Sequence, residues 1–144
     1  MAKGQVAIVT DSASDIPPEA AKQLGITIVP VIVSFGAESF KVNEELSMDE
    51  FWKRLTAPGA PFPKTAAPPP AAFTAAYDRA FAGGAEEIVS VHVASKLSAT
   101  FRNAEIAAAD HPQSKSIHLV DTATASAAEG LLVARAYHRA AEGW

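Results

Sequence analysis

Hydrophobic positions along the chain follow two rhythms, short β-branched runs and stretches with apolar residues three or four apart. Gln5–Thr10, QVAIVT, reads as a buried strand, and IPPEAAKQLG behind it as a helix stopped by Gly25. ITIVPVIVSF reads as one second strand, with Pro30 marking a bulge or an edge position. FGAESF would turn that strand back into a short hairpin through Gly36. In SMDEFWKRL, Ser47 and Glu50 stand at capping-box spacing and open a helix. AAFTAAYDRAF places Phe73, Tyr77 and Phe81 on one helical face, and Pro70 is tolerated in its first turn because that N–H would be unpaired. Gly83 and Gly84 stop this helix before a third strand, EEIVSVHV. The next helix runs from about Ser98 with Phe101, Ala104 and Ala108 on one face; SIHLV is a fourth strand. The last helix carries Ala125, Ala128, Leu132 and Ala136 at helical spacing. Strand–helix alternation of this kind predicts an α/β fold: a three-layer α/β/α domain on a parallel sheet of about four main strands, with a short hairpin after the second.

In such sheets ligands collect beyond the carboxyl ends of the strands. The loops there are TDSASD (Thr10–Asp15), ASKLSAT (Ala94–Thr100) and DTATAS (Asp121–Ser126), all rich in hydroxyls and small residues. Ser98 sits where a helix begins, and free N–H groups with the helix dipole favour an anion there. The plainer reading is that Ser98 caps its own helix, leaving the N–H groups of Ala99 and Thr100 to a ligand. Asp11 and Ser12 could polarise a ligand, whereas Asp15 more simply starts the next helix and Asp121 serves a turn. The proline-rich segment 58–70 reads as a rigid connection that holds out the Thr65 hydroxyl.

Composition narrows the chemistry. The 144 residues carry a net charge of −4 and no Lys/Arg run, which argues against nucleic acid as the main partner. There are no cysteines, so disulfides, thiolate metal sites and a cysteine nucleophile are excluded. Neither a G-x-G-x-x-G nor a P-loop is present, and no His/Asp/Glu set has metal-ligand spacing. VASKLSA is not a G-x-S-x-G elbow, and none of His92, His111, His118 and His138 is tied by motif to a serine. The four histidines therefore read as surface or structural. Phe51, Trp52 and the Phe73/Tyr77/Phe81 stripe read as core. The amino terminus lacks a signal-peptide core and no run approaches the length of a membrane span, which makes a cytoplasmic location the default. From residues alone the expectation is an α/β domain with a hydroxyl-lined site favourable to anions.

Five segments together resemble the DegV family of bacterial fatty-acid-binding proteins, in order along nearly the whole chain. VTDSASDIP resembles the family's opening strand and loop, and GITIVPVIVSFG its second strand with the proline in place. PKTAAPPPAAF resembles the loop P-x-T-S-x-P-S, SKLSATFRNA the helix start S-S-x-L-S-G-T, and VDTATASAAEGLLV the D-[ST]-x-x-[AVS]-S-x-x-x-G segment. Ala66 replaces the loop serine, Pro70 lies near its second serine, and Ala99 replaces the glycine of S-G-T. The resemblance implies a non-catalytic carrier of a long-chain fatty acid. Thr65 and Ser98 match the family's carboxylate-binding threonine and serine, with Ala99, Thr100, Ser12 and Asp11 as supporting positions. It also implies a partner kinase that phosphorylates the bound carboxylate, and no metal or other cofactor. Members are usually about twice this length. Residues 1–144 then correspond to the first α/β domain, and Trp144, directly after a helix and Gly143, leaves the family's second domain outside this chain. Two other readings remain: a small-molecule serine hydrolase or transferase using Ser98 or Ser12, and a domain that only contacts other proteins.

Overall fold

The computed structural model describes residues 5–143; Met1 to Gly4 and Trp144 lie outside the described residues. Its frame is a four-stranded parallel sheet built from β1 (Val6–Asp11), β2 (Thr27–Val29), β6 (Glu87–His92) and β7 (Ile117–Asp121), in the order β2-β1-β6-β7. Both faces are covered, as the near-continuous apolar strands require. On one face, α3 (Pro70–Ala82) and α4 (Thr100–Asp110) bury Phe73, Tyr77 and Ala104 against Val9 and Ile88. On the other, α1 (Pro18–Leu24) and α5 (Ala127–Ala141) pack Ala21 and Val133 on Ile8 and Val91. The three-layer α/β/α expectation holds.

A second sheet stands beside the first. Here β3 (Ile32–Phe35), β4 (Glu38–Lys41) and β5 (Lys64–Ala66) pair antiparallel in the order β4-β3-β5. The ITIVPVIVSF run is thus not one strand. It breaks at Pro30, whose missing N–H ends ladder bonding, and its halves β2 and β3 belong to different sheets. The hairpin through Gly36 forms, with Gly36 at φ 61°, in the left-handed region where glycine carries no Cβ penalty. The segment taken as a rigid loop contains a third strand: β5 pairs with β3, Thr65 opposite Val33. Helix α2 (Met48–Leu55) covers this sheet, its Ser47 hydroxyl accepting from the Glu50 N–H at 3.2 Å as the capping spacing predicts. Phe51 packs on Val33, Phe35 and Leu46, but Trp52 points out with 57% of its surface exposed and is not core.

Helix α5 corrects a second expectation. Ala128 and Leu132 are exposed, and the buried stripe is Glu129, Val133, Ala136, Tyr137 and Ala140. Alanines on both sides gave the helical period no direction, and a buried glutamate inverts the usual sign.

Candidate functional site

The carboxyl ends of β1, β6 and β7 are cross-tied by side chains before any ligand is considered. Asp11, the last residue of β1, is fully buried, and three donors converge on its carboxylate. Ala13 N–H reaches Oδ1 at 2.9 Å, while His92 Nδ1 and Val93 N–H reach Oδ2 at 2.9 and 3.2 Å. The other ring nitrogen, His92 Nε2, lies 2.6 Å from the Ser90 hydroxyl, which lies 3.0 Å from the Tyr77 hydroxyl. The His92 carbonyl in turn accepts from the Thr122 hydroxyl at 2.8 Å and the Thr122 N–H at 3.1 Å. One direction of donation satisfies every member: Tyr77 O–H to Ser90, Ser90 O–H to His92 Nε2, His92 Nδ1–H to Asp11. Burial pushes the Tyr77 phenol up to about 12, so its proton stays in place.

Serine, histidine and aspartate in this order match the geometry of a hydrolase triad. Ser90, a serine that sequence reasoning did not consider, sits mid-strand, and Ser90, His92 and Asp11 are all fully buried. No substrate reaches it. The chain's role is mechanical: Tyr77 and Phe73 lie one turn apart on α3, and Phe73 meets the His92 ring edge-on at 5.1 Å. Helix α3 is thereby fastened to β6 at two successive turns. The signal in the sequence was Ser90 and His92 two apart on a strand, hence on one face.

The structure places the sequence candidates as follows. Ser98 lies in the turn before α4, and its Oγ accepts from the Thr100 N–H at 3.2 Å. The Thr100 N–H is therefore used internally and is not left for a ligand. The Ser98 and Thr100 hydroxyls are 2.8 Å apart, and Thr100 is fully buried with Ser98 as its hydroxyl's one partner among the described residues. An unpaired hydroxyl proton in the core is costly, so Thr100 donates to Ser98. Ser98 then accepts twice, and its own proton turns away from both donors, toward the half-exposed side. That arrangement would let Ser98 donate to an anion. Ala99 is exposed beside it.

Thr65 is exposed on β5 and, as the cross-strand partner of Val33, shares that residue's face of the small sheet. No hydrogen bond joins Thr65 to Ser98 among the described residues; their elements meet where Asn103 Nδ2 of α4 donates to the Pro68 carbonyl at 2.8 Å. Asp11 faces inward with both oxygens engaged, and Ser12 Oγ accepts from the Val31 N–H at 2.9 Å, so both brace the loop. Asp15 does not start α1. It ends a 3₁₀ turn (Ser12–Ser14) at φ 51° and accepts from the Ser126 hydroxyl at 2.6 Å. Asp121 is a turn residue as expected, accepting from the N–H groups of Ser95 and Ala123. The Ser95 side chain first, then the Ala123 N–H, holds its carboxyl below the ordinary value.

Between these loops lies a cleft of about 340 Å³ lined by Ala94, Ser95, Lys96, Leu97, Asp121 and Ala123. Leu97, next to Ser98, leaves 70% of its surface exposed. An apolar side chain thus adjoins a hydroxyl donor and, in Lys96, a cation. Among the described residues no group of three or more His, Asp or Glu side chains is arranged to hold a metal, and no helix is long and apolar enough to cross a membrane.

This arrangement was set against known proteins. The DegV family model, described as an uncharacterised protein family, matches residues 5–144. The chain belongs to the DegV family. A DegV domain-containing protein of Deinococcus radiodurans is 37% identical over 131 residues, 91% of this chain and 45% of that one. Among solved structures, a DegV family protein from Thermus thermophilus, described as binding fatty acid, superposes with a TM-score of 0.86 at 34% identity, over 97% of this chain and 49% of its own. The DegV of Bacillus subtilis, described as a fatty acid binding protein, also gives 0.86, at 26% identity and the same coverage. The chain spans about half the length of the DegV proteins it matches, and its four-stranded sheet with flanking helices is the DegV fold.

Proposed function

We propose that the protein binds a long-chain fatty acid, its carboxylate held by the Thr65 hydroxyl of β5 and the Ser98 hydroxyl before α4, and acts as a carrier without catalysis of its own. The observation that carries this reading is the partly exposed Ser98 hydroxyl, held by Thr100 in the turn before α4 and with no other partner among the described residues, in a fold whose relative at 34% identity is described as binding fatty acid. Ala99 and Thr100 support the turn, and Ser12 and Asp11 fix the loop facing it. The cleft of about 340 Å³ next to this turn is lined by neither Thr65 nor Ser98 and is at the small end for a ligand site, so a long tail needs a further wall. The fitting source is a second domain such as relatives of twice this length have room for. The partner proposed with it, on the family resemblance alone, is a kinase that phosphorylates the bound carboxylate.

Magnitudes divide the work. About 15 methylenes at roughly 0.8 kcal/mol each give a gross gain near 12 kcal/mol, against roughly 1.5–3 kcal/mol per hydrogen bond to the charged head. The tail supplies affinity, and the hydroxyls select an acid. Thr65→Val and Ser98→Ala are each expected to weaken hexadecanoic acid binding about tenfold while leaving its methyl ester's affinity unchanged. Titration calorimetry with both ligands checks this, and equal losses would show that neither hydroxyl reads the carboxylate. Ser98→Ala also removes the acceptor for two Thr100 donors, one of them a buried hydroxyl, at a cost of roughly 1–3 kcal/mol in stability.

A further inference from the structure

Thr65 and Ser98 stand on different frames. Thr65 rides on a three-residue strand of the antiparallel sheet, held there by β3 alone. Ser98 lies in the turn that leaves the parallel sheet after β6. No shared ladder sets their separation. The connection behind β5 is poor in means to set it, because Pro68, Pro69 and Pro70 have neither N–H groups nor polar side chains. Only their carbonyls can be gripped. Those of Pro69 and Pro70 are spent on α3 itself, accepting from the Ala72 N–H at 2.9 Å and the Thr74 hydroxyl at 3.3 Å.

That leaves Pro68, which is buried and accepts the Asn103 side-chain amide at 2.8 Å. Asn103 belongs to the first turn of α4, where its own N–H bonds the Ala99 carbonyl at 2.9 Å. The residue is thus anchored on the Ser98 turn by its backbone and on the Thr65 strap by its side chain. It spans the gap directly. Helix α3 does not depend on it, since Phe73 and Tyr77 fasten that helix to β6 separately.

We propose that Asn103 is a positioning residue, setting the separation of the Thr65 and Ser98 hydroxyls so that both can meet one carboxylate. The inference rests on the carboxylate reading above. Both contacts must be held to a fraction of an ångström to act together, and a strand paired on one side does not achieve that unaided. An amide suits the task because it donates to a carbonyl without adding charge beside an anion.

The test uses the whole chain with Asn103→Ala and Asn103→Leu, the second keeping bulk while removing the donor. Affinities for hexadecanoic acid and methyl hexadecanoate are measured together with amide hydrogen exchange over β5 and the unfolding midpoint. The preference for acid over ester should fall about tenfold in both variants, with ester affinity unmoved, the midpoint lowered only as far as one lost hydrogen bond accounts for, and β5 amides exchanging faster. A fold-only role would lower both ligands together, and that result, or an unchanged preference, overturns the proposal. Wild-type protein without any acid preference would instead refute the carboxylate reading. Asn103 would then be judged on exchange alone, and unaltered β5 exchange in both variants would refute its role as well.

Discussion

Glu129→Gln is expected to stabilise the protein at neutral pH and to remove most of its alkaline sensitivity. Glu129 is fully buried on α5, and neither carboxyl oxygen has a hydrogen-bond partner among the described residues; the buried hydroxyl of Thr10 is unpartnered too. Burial first, then the nearby charge of Asp11, pushes the carboxyl up to about 9, with the charge of Asp15 adding to the shift. The folded protein therefore keeps a proton that the unfolded chain releases near pH 4.5. Since stability rises with pH only where the unfolded state binds more protons, here it falls. The contribution is whole below pH 4.5, declines through neutrality and is lost once pH passes about 9. At pH 7 the accumulated cost is on the order of 3 kcal/mol, at about 1.4 kcal/mol per pH unit. Glutamine has similar volume and no proton to lose. Urea unfolding at pH 4, 7 and 9 should show variant and wild type converging at acid pH and separating as pH rises. Parallel curves across that range would mean that Glu129 is ionised in the fold.

The second large effect lies one residue on. A methyl group at Gly130 would stand 2.5 Å from the Ser14 carbonyl oxygen and 3.5 Å from Ile16 Cγ1. The 3₁₀ turn and the start of α5 are pressed together there, with the Ser126 N–H bonded to the Ala13 carbonyl at 2.8 Å and its hydroxyl to Asp15. Backbone cannot yield as a side-chain tip does. Gly130→Ala gains roughly 1 kcal/mol of helix propensity, yet overpacking of this kind costs roughly 1–3 kcal/mol or more. Because the clash at 2.5 Å is with backbone, the cost lies at the upper end, and the net loss should be about 2 kcal/mol, a fall of roughly 4–8 °C in Tm for a domain this size. An unchanged Tm would mean that the contact relaxes freely. Asp11 and the Ser12 loop brace the proposed site, so the variant should also loosen acid binding.

Local signals were legible and distant ones were not. The Ser47–Glu50 cap, the Gly25 and Gly83 helix stops and the apolar runs of β1 and β6 all depend on neighbours a few residues away. They stand where the sequence placed them. Strand β5 was hidden because three residues between prolines carry no period, and its partner β3 lies some thirty positions earlier. Pro30 announced an interruption, but whether the chain bulges or changes sheets is decided by what packs on each half. Ser126 and Glu129 stand at capping-box spacing, yet Ser126 bonds Asp15 and Glu129 turns inward, an outcome set by contacts with residues 10–16. Of the proposed site residues, Ser98 was suggested by its place at a helix start and Thr65 by the family resemblance. The Asp11–His92 tie, spanning 81 positions, had no local trace.

The central strand pairing shapes how the chain becomes a fold in time. Strand β1 meets β2 after a short excursion, Val9 opposite Thr27, but meets β6 only across the span from Val6 to Glu87. Closing the longer loop adds about 1.3 kcal/mol of entropy cost, two doublings of length. A chain emerging from the ribosome therefore holds β1, α1 and β2 without their main partner until β6 follows. The antiparallel sheet and α2, with their own apolar cluster, lie wholly between β2 and β6 and so are complete in the chain before β6 is. High contact order of this kind slows folding and lengthens exposure of the apolar strands β1 and β2, the period in which a nascent chain most needs a chaperone.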